Sequence, residues 1–378
     1  MPGFGWYVAG RRPIKFTHAV ISEEIPMRSK HVVNGAMIAS ILTAAISVAT
    51  QPASADSSYQ WLGGSSSSFT DKANWYPNVM PTGGSATAPV GAQLLDVGMA
   101  TPETYQLTYD PANNSGITDP TYYAGDLQLG YQSAATMNIA SGSLTFADGG
   151  YGGSLINEFG DGASTLNVDG GTVSFLDPNG GSALTLSRKN ETTVGWQALV
   201  NVTNGTLNAD GGITLSYNYF SNTITVGTGG VVNVNQSSQS TPAAGTTNMG
   251  FGSKIILENG GIYSQNSSYT ITFNNHGGSF SQIAFGTGPL TPGTLSLFDG
   301  TNGADMSAAE SEITTAAADG YIASYDGSSF TNLSASQLSF TQQGNQLLVT
   351  VAATPEPASL GLLGLALGGL LLLHRRKA

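Results

Sequence analysis

The sequence predicts an all-β fold built as a parallel β-helix, and three observations carry that expectation. The chain has 378 residues with 50 glycines, no cysteine and only 10% charged residues, whereas an average globular domain has about 25% charged residues and about 7% glycine. A pattern of apolar triplet, two polar residues, glycine, one residue and an apolar position recurs as MNIASGSL from Met137, LNVDGGTV from Leu166, VNVTNGTL from Val200, ITVGTGGV from Ile224 and IILENGGI from Ile255. Its glycines, Gly142, Gly171, Gly205, Gly229 and Gly260, are spaced by 29, 34, 24 and 31 residues, inside the range in which repeats mean stacked coils.

Each unit reads as strand, turn, strand. Alternation of period two on both sides of the glycine turns Ile, Leu and Val inward and Asn, Thr and Ser outward, and the glycine supplies the positive φ of a tight turn. A further short strand precedes several units, as LQLG at Leu127, LTLS at Leu184 and ITLS at Ile213. Three strands per repeat make one coil, stacked at about 4.8 Å on the coil before it so that each closes the edge of the last. A β-sandwich is the alternative, because short strands with frequent turns also fit it; the fixed register from triplet to glycine favours the solenoid.

Along the chain, residues 1–26 read as an extension ahead of a start at Met27, since Glu23, Glu24 and Pro26 break any continuous signal. Residues 27–55 match a secretory signal peptide: Arg28 and Lys30, an apolar run from Ala36 to Ala49, and an A-x-A site at Ala53-Ser54-Ala55, with cleavage by signal peptidase expected before Asp56. Residues 56–120 form an N-terminal capping region whose Trp61, Phe69 and Trp75 are expected to cover the apolar end of the first coil; a sugar-stacking platform is the other reading of those rings. Repeats occupy 121–293. Region 294–353 closes the stack with an amphipathic helix over Ala304–Ala318, Asp305 in its first turn and Gly320 beyond its end, then strands QLSF and QLLVTV around a QQGN turn.

Charge restricts the function. Between Asp56 and Ala353 only Lys72, Arg188, Lys189 and Lys254 face 21 acids, a net of −17, which repels nucleic acid and anionic headgroups and attracts cations. Without cysteine there is no thiol catalysis and no Cys-ligated zinc. His276 is the one histidine of the mature region, in NNHGGSF without a G-x-S-x-G elbow, so a Ser-His-Asp hydrolase lacks its parts. A glycan-cleaving enzyme, polysaccharide lyase or glycosidase, is the alternative class. A glycosidase needs two carboxylates about 5 to 9.5 Å apart, and Asp148, Asp169 and Asp210 follow successive repeats. GGYGGSLI from Gly149 resembles a calcium repeat but puts Ser154 in the place of the Asp ligand, and DGTNGAD from Asp299 lacks the terminal Glu of an EF-hand. No catalytic residue, cofactor or specific metal site is expected, and the protein reads as non-enzymatic.

The tail, TPEPASLGLLGLALGGLLLLHRRKA from Thr354 to Ala378, reads as an address. Ala358 to Leu373 would span roughly 24 Å as a helix against a bilayer core of about 30 Å, a short single transmembrane helix. Arg375, Arg376 and Lys377 follow as a cytoplasmic stop, and Pro355 and Pro357 hold the preceding neck extended. These parts, in this order, resemble a PEP-CTERM sorting signal. The resemblance implies that an exosortase, a membrane enzyme of Gram-negative bacteria that make exopolysaccharide, reads Pro355-Glu356-Pro357 ahead of the helix and Arg375-Arg376, and releases the protein to the surface or matrix. A plain C-terminal anchor is the alternative. The repeats resemble the glycine-rich repeats of autotransporter passengers. The expected protein is an exported structural or adhesive component of the cell surface or matrix, with exosortase, the membrane and extracellular polysaccharide as partners and no nucleic acid.

Overall fold

A computed structural model describes residues 58–63, 66–76, 81, 94–98, 104–113, 121–131, 133–147, 153–157, 162–176, 182–187, 197–215, 221–234, 246–266, 271–276, 279–298 and 306–352. They form a β-solenoid with three long sheets and one α-helix. The chain visits the sheets in turn. Ser154–Ile156 lies in sheet I, Ala163–Asp169 in sheet II and Thr172–Leu176 in sheet III; the next coil repeats the order with Leu184–Leu186, Gln197–Thr203 and Thr206–Asp210. Successive coils pair in parallel, strand on strand, which excludes the β-sandwich. This pairing starts with Ser58–Trp61 on Leu94–Val97 in sheet I and with Tyr105–Tyr109 in sheet II, and continues to Ile322–Tyr325.

The repeat register is the one the triplets define. In sheet II, Met137, Leu166, Val200, Ile224 and Ile255 pair across consecutive coils, as do Ile139, Val168, Val202, Val226 and Leu257. All ten are fully buried. Sheet III adds Val173, Leu207 and Val232 to the interior, with Phe146 stacked on Phe175 at 5.3 Å. Identical faces meeting in register make one continuous apolar core, whose burial at about 25 cal/mol per Å² is the main stabilising term of the fold.

The glycines do two separate jobs, and here the expectation needs correcting. In register with Gly171 and Gly205 stand Gly230 and Gly261, one residue beyond Gly229 and Gly260. Two residues separate Val202 from Gly205, but three separate Val226 from Gly230 and Leu257 from Gly261, so those turns are one residue longer. Val231 and Ile262 therefore face outward, Ile262 with 38% of its surface exposed, while Val232 and Tyr263 take the inward sites. A slip of one residue exchanges the faces of a strand. The left-handed backbone falls on the earlier turn residue, with φ of 51° at Asn204 and 65° at Gly229. Gly205 instead answers a close approach: a Cβ there would lie 2.8 Å from the Gly171 carbonyl oxygen and 2.9 Å from Val168 Cγ1 of the coil beneath.

Both ends of the stack are closed. At the N-terminal end Trp75 packs edge-on to Trp61 and Phe69, with ring centroids 4.9 and 5.3 Å away, and Phe69 meets Tyr109 of the first sheet II strand at 5.4 Å. Trp75 also donates its Nε1–H to the Phe69 carbonyl at 2.8 Å. Asp71 caps the intervening turn by accepting from the Ala73 amide at 3.1 Å, and the Asn74 amide donates to the Ser66 carbonyl at 2.8 Å.

At the other end the strands turn antiparallel. Ile322–Tyr325 pairs with Phe330–Asn332, and Thr294–Phe298 with Gln346–Val351, which pairs in turn with Leu338–Gln343. The last hairpin turns over Gly344 and Asn345 alone, so its strands are longer than the QQGN reading allows. Helix α1, Ser307–Ala318, starts later than expected; Asp305 lies outside the described residues. Its C-terminus closes as a Schellman motif: Gly320 has φ of 82°, its N–H meets the Ala317 carbonyl, and the Tyr321 N–H meets that of Ala316. The chain passes from sheet III through α1 to sheet II, so the helix takes the place of a sheet I strand.

Candidate functional surfaces

The polar surface is ordered by the same register as the core. Outward on sheet II, Thr108, Asn138, Asn167, Asn201 and Thr225 form one column. Their side chains are linked: Asn167 Nδ2 donates to Asn138 Oδ1 at 2.8 Å, Asn201 Nδ2 to Asn167 Oδ1 at 2.9 Å, and Asn138 Nδ2 reaches Thr108 Oγ1 at 3.5 Å. Sheet III carries a shorter ladder, with Asn208 Nδ2 on Ser174 Oγ at 3.1 Å and Asn233 Nδ2 on Asn208 Oδ1 at 2.9 Å. The signal was present in MNI, LNV and VNV, where the middle residue of successive triplets is Asn; what the sequence alone did not show is that these amides bond to one another.

A cleft of about 460 Å³ opens between α1 and Ile271–Phe273, the last strand of sheet I. Ile271, Phe273, Leu297 and Ile313 floor it, and Glu312 and Asp319 stand at its rim. The helix presents Ala309 and Ala316 to this space, side chains too small to fill the place of a strand. One coil earlier the core contains a polar cluster: Thr247 Oγ1 lies 2.8 Å from Tyr263 OH and donates to Gln265 Oε1 at 2.6 Å. Burial keeps the Tyr263 hydroxyl protonated, pushing its pKa well up.

Farther along the outer side of sheet II, Lys254 donates from Nζ to the Phe280 carbonyl at 2.7 Å and to Gln282 Oε1 at 2.8 Å. The same nitrogen sits 5.0 Å from the centre of the Phe330 ring, which stacks on Tyr325 at 4.7 Å. Burial lowers the Lys254 pKa to about 8.

Of the carboxylates weighed for glycan cleavage, the two among the described residues do not meet. Asp169 ends a sheet II strand, where its Oδ1 accepts from Asn204 Nδ2 at 3.3 Å. Asp210 ends a sheet III strand, so the five-residue length of that sheet, roughly 17 Å, lies between the two corners; Asp148 is outside the described residues. Ser154 is buried and accepts the Leu127 amide at 3.1 Å, so it closes the stack between two coils. The backbone of His276 pairs with Ser279 in a two-residue hairpin. Among the described residues no three His, Asp or Glu side chains gather as a metal ion would require. The Asp299–Asp305 stretch lies outside the described residues, as do Ala53 and Ala55 of the signal peptidase site and the tail residues Pro355, Glu356, Pro357, Arg375 and Arg376. Among the described residues no helix is long and apolar enough to cross a membrane; the expected transmembrane helix falls outside them.

By fold the protein is a capped β-solenoid with polar outer faces. Its residues 353–377 match the PEP-CTERM protein-sorting motif, the motif of exported proteins sorted by an exosortase. No curated protein and no solved structure matches the chain, so the likeness of its repeats to autotransporter passengers rests on the sequence pattern.

Proposed function

We propose that the protein is a non-enzymatic structural or adhesive component of the cell surface or extracellular matrix, working in contact with exopolysaccharide. It is led out by the signal peptide of residues 27–55, held by the short apolar helix of the tail, and released by an exosortase acting at Pro355-Glu356-Pro357. The observation that carries this reading is the sorting motif at 353–377, placed directly after the strand that ends the solenoid at Val351. The rest of the described molecule supports it: a rigid core, ends closed by rings and antiparallel strands, and an ordered polar exterior suit a spacer or adhesive element.

The test follows the route. Expression in hosts with and without exosortase, followed by mass measurement of the mature form, should give a product that begins at Asp56 and lacks Arg375 to Lys377 only where the enzyme is present. A tail that stays intact and membrane-bound in both hosts would make it an ordinary anchor.

A further inference from the structure

We propose that the two ends of the solenoid are complementary docking surfaces: a second copy of this chain seats its N-terminal hairpin in the cleft beside α1, and the molecules join head to tail. The contact goes beyond the reading above and needs neither exosortase release nor glycan, because both surfaces lie on the described solenoid.

The N-terminal end carries the knob. Ser58–Trp61 and Trp75–Tyr76 are the outermost strands of sheet I on that side, and Trp61 pairs directly with Trp75. Both indoles are buried in the cap, so the residues that follow them, Leu62 and Tyr76, turn outward together. They are 45% and 61% exposed, two of the four large apolar side chains left open among the described residues. Of the other two, Phe330 is covered by Lys254 and Ile262 stands singly at the start of a sheet III strand. Lys72, also exposed, lies in the short turn that leads into Trp75.

The C-terminal end carries the hole. Sheets II and III finish there in antiparallel strands, whereas sheet I finishes in the parallel strand Ile271–Phe273. The cleft of about 460 Å³ beside it is of the size that takes a small ligand, and it has room for a leucine and a tyrosine side chain together. Ile271, Phe273, Leu297 and Ile313 offer them an apolar floor.

Charge selects this occupant. Glu312 and Asp319 are exposed at the cleft rim, two turns apart on one side of α1. Asp319 is the C-cap of the helix, and no base stands in the last turn. A carboxylate there meets the negative end of the helix dipole, where a cation is the favoured neighbour. Lys72, beside the outward pair of another copy, supplies that cation; an apolar ligand with an acidic head would be repelled by the same rim.

Geometry makes the contact intermolecular. Nine strands of sheet I at about 4.8 Å put the two surfaces roughly 38 Å apart, so neither end can reach its own complement. Such a heterologous contact leaves one knob and one hole open on every oligomer and continues along the axis. Repulsion between two bodies of net −17 opposes association, but near physiological ionic strength it reaches only about 8 Å, and the charges at the contact itself decide.

The test uses introduced thiols, which report the contact without background because the chain has no cysteine. Tyr76→Cys and Thr315→Cys are at exposed sites, the second on the wall of the cleft. Co-expressed as separate chains and oxidised mildly at physiological ionic strength, they should form a mixed disulfide. A chain carrying both should give a ladder of dimers, trimers and longer species, since roughly 38 Å is far beyond the 7 Å or so that a disulfide within one chain allows. Ala163→Cys, exposed in mid-stack, should pair with neither. Lys72→Glu in the Tyr76→Cys chain should lower the mixed product about tenfold without changing the unfolding midpoint, and Glu312→Lys with Asp319→Lys in the other chain should restore it. Hosts with and without exosortase should give the same result, so a tail that is never released leaves the contact readable. Tyr76→Cys that links to itself as readily as to Thr315→Cys would make the contact symmetric and overturn the proposal. No mixed product, with the Thr315→Cys thiol also shielded from maleimide, would give the cleft to another occupant and overturn it too; a mixed product indifferent to Lys72→Glu would remove the charge pairing that selects a second copy.

Discussion

Asn201 Nδ2 lies 2.9 Å from Asn167 Oδ1, while Asn167 Nδ2 lies 2.8 Å from Asn138 Oδ1. The middle residue of this chain therefore donates and accepts at once, and the bonds run parallel to the axis along which the coils stack. Backbone ladders already tie each strand to the next. The amide ladder adds a second tie that forms only when three coils share one register, because a slip of one residue would turn the amides into the core.

Replacing Asn167 with Ala should accordingly cost more than replacing Asn138. The first change removes two bonds and strands one donor and one acceptor, an effect of about 1 to 2 kcal/mol for half-buried groups. Asn138→Ala removes its link to Asn167 and a long contact to Thr108 at 3.5 Å. Asn167→Asp should be the worst of the three near neutral pH, because its carboxylate has no N–H to give to Asn138 Oδ1. Urea midpoints at fixed slope would rank the variants, and equal effects for Asn138 and Asn167 would show that the ladder adds nothing beyond local contacts.

The two kinds of turn glycine give a second prediction. Gly230→Ala places a Cβ against the Val202 carbonyl oxygen of the preceding coil, a contact with backbone that no side-chain movement relieves. Gly260→Ala meets nothing within 4 Å, but holds alanine at φ of 79°. The first should cost up to about 3 kcal/mol as overpacking, the second about 1 to 2 kcal/mol as left-handed backbone. Thermal unfolding of both variants checks the order; a milder Gly230→Ala would mean that the coils can part at this corner.

These glycines also mark how far the sequence could be read. The triplets repeat the residue types that face the core, so their stacking order was legible from Met137 to Ile255. The turns were less so, because Gly229-Gly230 and Gly260-Gly261 offer two glycines and only contact with the coil below decides which one packs. The cleft beside α1 was not legible at all. It arises where a helix bearing Ala309 and Ala316 stands in for a strand, and no local pattern announces the volume left over. Of the site residues, the sorting tail was recognisable because its information is linear: neck, apolar run and bases in order.

Trp75 separates capping from binding. Its ring is 1% exposed and touches both Trp61 and Phe69, so Trp75→Ala should destabilise the protein by about 3 to 5 kcal/mol. Trp75→Phe keeps an aromatic edge and loses the bond to the Phe69 carbonyl, which should cost about 1 kcal/mol or somewhat more. Calorimetry of the two variants is the measurement. An unchanged melting temperature in Trp75→Ala would mean that the ring leaves its place at little cost, as a ligand platform would.

Lys254 supplies the pH dependence. Its pKa is 10.5 in the unfolded chain and about 8 in the folded protein, lowered by burial. Below pH 8 the amine is charged in both states, and burying that charge works fully against folding. Between pH 8 and 10.5 the folded protein gives up the proton while the unfolded chain keeps it; the unfolded state then binds more protons, so this residue's contribution to stability rises with pH. One proton allows a slope of at most about 1.4 kcal/mol per pH unit, and partial exposure of the side chain reduces it. Unfolding free energies of wild type and Lys254→Met, measured from pH 7 to 10.5, should therefore diverge in favour of the wild type as pH rises, since titrations common to both cancel in the difference. A difference that stays flat would mean that the Phe280 carbonyl, Gln282 Oε1 and the Phe330 ring together hold the ammonium as well as water does, and that the outer end of sheet II keeps a permanent positive charge beside its exposed ring.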